Sequence, residues 1–332
     1  MPSNKRVFVV GGTGFLGYHT IQEFLRNGWE ATALGLPPAP PADLFPSAVK
    51  VVLCDLDAST DEELLSILRG HDSLVYAAGM DDRITPKKPA YPKFYHANVE
   101  VPTRILRLAG QAGVKRAVVF GSYFSYFHRR WPEMKLAERH PYIRSRVEQE
   151  RGITSLPGLD VDVLELPNIF GDSLWRKPLW YPLVKYIRSA QLVFYMHGGT
   201  ACITAKTVAG AAFSALERGH AGTCYPISQE NLTWTQMLNR LARSDGRTVR
   251  VVKLPSWLIN FGMLVVLLIH KLQGKEAGLN LRYFAQLQTA ETFLDPQPSK
   301  DALGYQTSDL EEAFQETVKA CNHKPFSSGL YI

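Results

Sequence analysis

Cysteine is scarce in this 332-residue chain and never paired in spacing: Cys54, Cys202, Cys224 and Cys321 stand far apart. That pattern excludes a zinc ribbon or finger and a small disulfide scaffold, and no metal site is expected. Free thiols in a reducing compartment, the cytoplasm, are the expectation. Runs of basic residues are also missing. The formal charge is +6, yet the 37 Lys and Arg are scattered, without the clustered stripe that a nucleic-acid groove needs, so no nucleic-acid partner is expected. No apolar run reaches the ~20 residues that a bilayer core asks for. The nearest approach, residues 257–269, is interrupted by Asn260 and Gly262 and followed by His270 and Lys271. It reads first as a buried or half-buried helix, with a lid over a greasy substrate or a membrane-surface helix as the other readings. Residues 1–6 lead straight into a strand, as expected of a chain without a secretory leader.

What is present is enough apolar material for a full core, 45% of residues, arranged with a clear rhythm. Short β-branched runs at 6–10, 30–34, 50–54, 73–77, 117–120 and 161–166 alternate with segments of helical period at 15–26, 61–68, 93–112 and 136–151. Strands alternating with crossover helices predict an α/β fold, a doubly wound parallel sheet. The proline-rich stretch 36–46 reads as a loop after the second strand. Beyond Asn168 the rhythm weakens, apart from one more core helix at 208–217. A smaller discontinuous C-terminal substrate lobe is expected there. The predicted division is 1–171 with 200–230 as nucleotide domain and 172–199 with 231–332 as substrate lobe, folded over the strand ends where doubly wound sheets bind ligands.

Gly11-Gly12-Thr13-Gly14-Phe15-Leu16-Gly17 follows an apolar strand and opens an amphipathic helix, the context in which a glycine motif binds a dinucleotide. Gly11 permits the tight turn, Gly14 lets backbone approach the pyrophosphate, and Gly17 allows close packing. The helix N-terminus offers NH groups and a positive dipole end to the phosphates.

The Gly-x-x-Gly-x-x-Gly spacing resembles that of extended short-chain dehydrogenases/reductases, the NAD-dependent epimerase/dehydratase family, and further features in the same order strengthen the resemblance. Asp55-Leu56 is similar to the family's adenine-binding pair, and Ala77-Ala78-Gly79 to its small-residue turn after the fourth strand. Asn98 matches the family's helix asparagine, and Pro167-Asn168-Ile169 resembles the segment beside the nicotinamide. The resemblance implies a Rossmann domain with Gly11, Thr13, Gly14, Phe15, Leu16, Gly17, Gly35, Asp55, Leu56, Ala77, Ala78, Gly79, Asn98, Tyr142, Arg146, Pro167, Asn168 and Ile169 around NAD or NADP. NAD sites place Asp or Glu ~20 residues beyond the glycine motif to hold the ribose hydroxyls. Here that place is Gly35, and no acid lies between Ala31 and Ala42. The vacancy tips the choice to NADP, narrowly, because neither Lys nor Arg appears before Lys50 to neutralise a 2'-phosphate.

The same resemblance implies a catalytic set. Ser122 ends the fifth strand as the family's serine does, and Tyr142-Ile143-Arg144-Ser145-Arg146 resembles the Tyr-x-x-x-Lys signature with Arg146 for the lysine. Residues at i and i+4 share a helix face, so Tyr142 and Arg146 can point into one cleft. Guanidinium keeps the charge but is bulkier and planar, which leaves activity open. The expected chemistry is hydride transfer between nicotinamide and a carbonyl or alcohol carbon, with Tyr142 moving the proton, Ser122 polarising the oxygen and Arg146 supporting the tyrosine.

The substrate reading rests on further absences. No arginine lies between His197 and Thr204, where nucleotide-sugar enzymes of the superfamily clamp the diphosphate, and Lys206-Thr207 stands in place of their acidic pair. The segments 254–258, 293–295 and 299–305 instead resemble 3β-hydroxysteroid dehydrogenase-like and dihydroflavonol reductase-like proteins, which implies an apolar small-molecule substrate. Tyr123, Phe124, Tyr126, Phe127, Trp131, Trp175, Trp180 and Tyr181 are candidate pocket walls. Two other readings stay open, a sugar or nucleotide-sugar epimerase or dehydratase with tightly bound NAD and a non-catalytic NAD(P)-binding regulator. The family resemblance also implies a homodimer through the helices at 93–112 and 136–151.

Overall fold

A computed structural model describes residues 5–322; residues 1–4 and 323–332, which the predicted division includes at its two ends, lie outside the described residues. The chain opens with β1 (Arg6–Val10), β2 (Glu30–Gly35), β3 (Lys50–Leu53), β4 (Ser73–Tyr76), β5 (Arg116–Ser122) and β6 (Asp160–Leu166). Then come β7 (Asn168–Phe170), β8 (Leu192–Tyr195), β9 (Gly199–Thr204), β10 (Cys224–Pro226), β11 (Glu230–Thr233), β12 (Arg250–Lys253) and β13 (Glu291–Thr292). The main sheet runs β3-β2-β1-β4-β5-β6-β10 and is parallel throughout. This is a doubly wound Rossmann sheet with one strand added.

Covering both faces explains why the strand runs are continuously apolar rather than alternating. Val7 and Val9 of β1 point into one core, with Ile21 and Phe24 of helix Phe15–Arg26 and the alanines Ala211, Ala212 and Ala215 of helix Ala205–Arg218. Phe8 and Val10 point into the opposite core, against Leu64, Leu68, Ile105, Leu106 and Ile153. Leu303 and Tyr305, late in the chain, return to the first of these cores.

A smaller sheet stacks β11, β9 and β13, with β7 also pairing β9, and β8 pairs β12. Around it Phe170, Trp234, Met237, Leu238, Leu310 and Phe314 form a separate core.

Two helices differ from expectation. The segment at 93–112 is interrupted by a wide π turn, His96–Glu100, between helices Tyr91–Tyr95 and Val101–Gln111. The segment at 136–151 is two helices, Leu136–Arg139 and Pro141–Ile153. Pro141 lacks the NH to continue the first and forces His140 into extended backbone, φ −122° and ψ 112°. The run at 257–269 forms helix Ser256–Leu272, of which Ile259 alone is fully buried. Met263, Val266, Leu267 and His270 are half-buried beside it while the opposite side is exposed, so the helix is half-buried, as the first reading had it. Among the described residues no helix is long and apolar enough to cross a membrane.

Candidate functional site

In the main sheet β1 lies between β2 and β4, and their following loops meet at the carboxyl ends of the strands, where the strand order reverses. Gly11, at φ +77°, makes the turn after β1, and a side chain there would press on the Ala77 carbonyl oxygen at 3.0 Å. Gly14 begins helix Phe15–Arg26 without a side-chain cap, its NH donating to the Gly11 carbonyl at 2.9 Å. Gly17 is packed hardest: a Cβ would lie 2.1 Å from the Gly11 oxygen. Thr13 is buried, and its carbonyl accepts from the Trp175 indole at 3.3 Å. Phe15 and Leu16 are half-buried, Phe15 beside Gly171 and Leu16 against the first core.

Gly35 ends β2. A Cβ there would stand 2.3 Å from the Thr13 hydroxyl oxygen. Asp55 is exposed, one carboxylate oxygen accepting from the Asp57 NH at 3.0 Å, and Leu56 packs against the second core.

Ala77, Ala78 and Gly79 follow β4 as a small-residue turn. Asn98, fully buried in the π turn, accepts from the Met80 NH at 2.8 Å and donates to the Met80 carbonyl and to Ser145 Oγ, each at 3.1 Å. Its amide is engaged inside the protein. It latches the turn after β4 to helix Pro141–Ile153. The irregular turn that presents it is a common device at functional sites.

Ser122, Tyr142 and Arg146 come together where β5 ends. Ser122 N-caps helix Tyr123–Arg130, accepting from the Phe124 NH. Its hydroxyl faces the Tyr142 phenol and favours the phenolate. Tyr142 is 7% exposed, edge-on to Phe94 and Phe124. Burial pushes its pKa up to about 12, against the lowering charge of Arg146 and with the raising charges of Asp82 and Asp81.

The start of its helix is clamped from the C-terminal part of the chain. The Tyr142 NH donates to the Gly278 carbonyl, and His140 Nδ1 accepts from the Asn280 NH at 2.9 Å. Arg146, also 7% exposed, has its guanidinium carbon 5.8 Å from the Tyr142 ring centre. It donates to the Phe120 carbonyl at 2.6 Å and lies beside Gly79. Among the described residues its buried Nε has no partner.

Pro167 is buried, Ile169 packs on the first core, and Asn168 donates to Thr200 Oγ1 at 3.0 Å. Thr200 in turn meets the Tyr123 hydroxyl at 3.1 Å.

The sequence reading passed over Asp81, Asp82 and Arg83. They stand on the loop after β4, and their charges act on Tyr142 and Tyr123. Arg83 stacks 4.8 Å over the Trp180 ring. Desolvation and the Asp81 charge raise the pKa of the Asp82 carboxyl. The signal was visible: three charged residues directly beyond a small-residue turn, at strand ends where ligands bind.

Residues 7–201 match the model of the NAD dependent epimerase/dehydratase family, and the chain belongs to that family. A Synechocystis protein named as a dihydroflavonol 4-reductase is 23% identical over 327 residues, 94% of this chain and 93% of its own length. A 3-beta-hydroxysteroid dehydrogenase of Mycolicibacterium neoaurum is 27% identical over 120 residues, 35% of this chain and 32% of its own. Among solved structures, gox2253 superposes with a TM-score of 0.78 at 20% identity, covering 96% of this chain and 98% of that one. At that identity the likeness speaks for the fold.

Proposed function

We propose that the chain is a nicotinamide-dependent oxidoreductase that interconverts a carbonyl and an alcohol on an apolar small molecule. The observation that carries the reading is the convergence of a buried phenol, a serine hydroxyl and a buried, part-unpartnered guanidinium at the carboxyl end of β5, beside the small-residue turn after β4. Gly11, Thr13, Gly14 and Gly17 form the cradle for a pyrophosphate. Asp55 and Leu56 lie on the adenine side, and Ala77, Ala78 and Gly79 leave room beside the ribose. The free Nε of Arg146 is the donor for a ribose hydroxyl or for the substrate oxygen. When bound, the nicotinamide supplies or takes a hydride at C4.

Tyr142 holds its proton at neutral pH and gives it to the developing alkoxide, Ser122 holds the same oxygen, and Arg146 limits the cost of the phenolate left behind. We take NAD rather than NADP, because the family is NAD dependent and no Lys or Arg follows Gly35 before Lys50 to neutralise a 2'-phosphate. Residues 1–171 with 200–230 serve as the cofactor region in this reading, and 172–199 with 231–332 as the substrate lobe. Pairing of two copies through the helices at 93–112 and 136–151 belongs to it too.

An epimerase or dehydratase has one observation on its side, since Asp82 is a second group poised to move a proton near Tyr142. The two readings separate on denaturation: an epimerase releases tightly held NAD, whereas a reductase exchanges it freely. The decisive variant is Tyr142→Phe, assayed by NADH oxidation over a panel of apolar ketones. Turnover is expected to fall by about 100-fold or more, the scale of a lost general acid, with NADH binding unchanged. Full turnover in the variant would remove Tyr142 from the chemistry.

A further inference from the structure

Helix Ser256–Leu272 presents an apolar face to solvent. Trp257, Phe261 and Leu272 are 70%, 63% and 80% exposed, and Leu264, Val265 and Leu268 stand exposed between them. At 100° per residue these six fall within an arc of about 100°, one stripe along the helix. With their neighbours they expose on the order of 750 Å², beyond the ~300–600 Å² of the largest patch on an ordinary monomer. The strand pair that feeds the helix, β8 with β12, adds exposed Leu192 and Phe194.

The charge around this face has one sign. From Gly246 to Lys275 the sequence holds Arg247, Arg250, Lys253, Lys271 and Lys275 and no Asp or Glu. Lys87 and Lys88 are brought to the C-terminal end of the helix by backbone pairing with Lys275 and Gly274. The flanking acids are engaged elsewhere, Asp245 by Arg188 and Glu276 by the Ala90 NH.

We infer that this face docks the protein on an anionic lipid bilayer, the helix lying in the plane of the headgroups with its apolar stripe in the acyl region and its lysines on lipid phosphates. Seventeen residues are too few to span the bilayer but suit a helix lying in the interface. An apolar stripe whose own segment carries cations and no acid matches a surface that is greasy within and negative outside. The docking stands independently of the reaction proposed above. It also places the bilayer near that site, because the helix packs on Phe284–Gln288, whose Leu287 shares a cluster with Tyr142.

The test is sedimentation of the full chain with phosphatidylcholine vesicles, with and without phosphatidylglycerol, at low and high salt. Binding to the phosphatidylglycerol vesicles is expected at low salt, weakening about tenfold or more with phosphatidylcholine alone or at high salt. Phe261→Glu with Leu268→Glu is expected to stay in the supernatant with an unchanged melting temperature, because both side chains already lie in water. Lys271→Glu with Lys275→Glu tests the charge separately and is expected to weaken binding to the anionic vesicles alone. Equal sedimentation of wild type and the Phe261/Leu268 variant would overturn the inference. So would light scattering that finds a wild-type dimer, split by that variant, with no vesicle binding in either, since the face would then belong to a second copy.

Discussion

Replacing Gly17 by Ala tests the nucleotide loop at the point where its geometry is tightest. The new methyl carbon would stand 2.1 Å from the Gly11 oxygen and 2.6 Å from Gly12 Cα. Non-bonded contacts sit near ~3.5 Å, so loop and helix must part by more than about 1 Å. The atoms in the way are backbone, and no rotamer change relieves them. Overpacking of this kind costs ~1–3 kcal/mol, and a chain of this size loses about 2–4 °C per kcal/mol. Gly17→Ala is therefore expected to melt roughly 3–10 °C below wild type and to lose NADH affinity with the distorted loop.

Gly14→Ala is the matched comparison. Its backbone is extended, φ −88°, and the added methyl meets only the Gly11 oxygen at 3.1 Å. The fold is expected to keep its melting temperature within a few degrees, while the methyl obstructs the approach of a pyrophosphate. Calorimetric titration with NADH is expected to show at least about a tenfold loss, ~1.4 kcal/mol. A wild-type melting temperature for Gly17→Ala would refute the packing argument. Wild-type NADH binding by Gly14→Ala would refute the placement of the pyrophosphate.

Two pH dependences of opposite sign are expected. Glu150 and Glu165, both buried, share Arg129 at 2.9 and 2.6 Å, and burial raises both carboxyls. The native state then binds more protons than the unfolded chain, so this contribution is full below the unfolded pKa near ~4.3 and is lost as pH rises through the raised native values. Glu165→Gln should flatten the decline in melting temperature toward pH 8, by on the order of 2 kcal/mol, and a wild-type slope in the variant would contradict this account.

His140 acts the other way, because burial, helped by Arg139, depresses it to about 4. Its contribution is full above the unfolded ~6.5 and is lost as pH falls through about 4, with a ceiling of ~3 kcal/mol. His140→Gln, which can still accept from the Asn280 NH, should melt with less acid sensitivity between those limits, and an unaltered acid limb would exclude His140 as the titrating group.

Periodicity carried the first half of the fold because the strands inside the sheet are covered on both faces, unlike the edge strand β3, and each crossover helix buries one. Valines at 7, 9 and 10 are apolar whichever face they serve, so the sheet could be counted from the residues. Pairings in the second half are not local. β9 joins β7, β11 and β13, and no short window of sequence records which distant strand a given strand will meet. The helix break at His140 was legible in principle from Pro141, but the apolar spacing on either side outweighed it.

The site was legible where a residue type is forced by space, as at Gly11 and Gly17. It was not legible where the neighbour comes from a distant element, as Thr13 does beside Gly35. Asn98 matched a motif correctly in position, yet which groups its amide would meet depended on the path of helix Pro141–Ile153. For Ser256–Leu272 the sequence left a packed helix, a lid and a membrane-surface helix side by side, because composition reports that a helix is apolar and not whether anything covers it.

Arginine rather than lysine at 146 bears on the protonation of Tyr142. The Arg146 charge beside the ring lowers the phenol's pKa. Tyr142 nonetheless stands at about 12 with that help included, because burial and the two aspartates work against it. A phenol so placed is almost wholly protonated at neutral pH. It is a ready proton donor to an alkoxide and a poor acceptor from an alcohol. Burial is the first cause of that upward shift, and the acids that add to it, Asp82 and Asp81, belong to the loop after β4 rather than to the tyrosine's own helix.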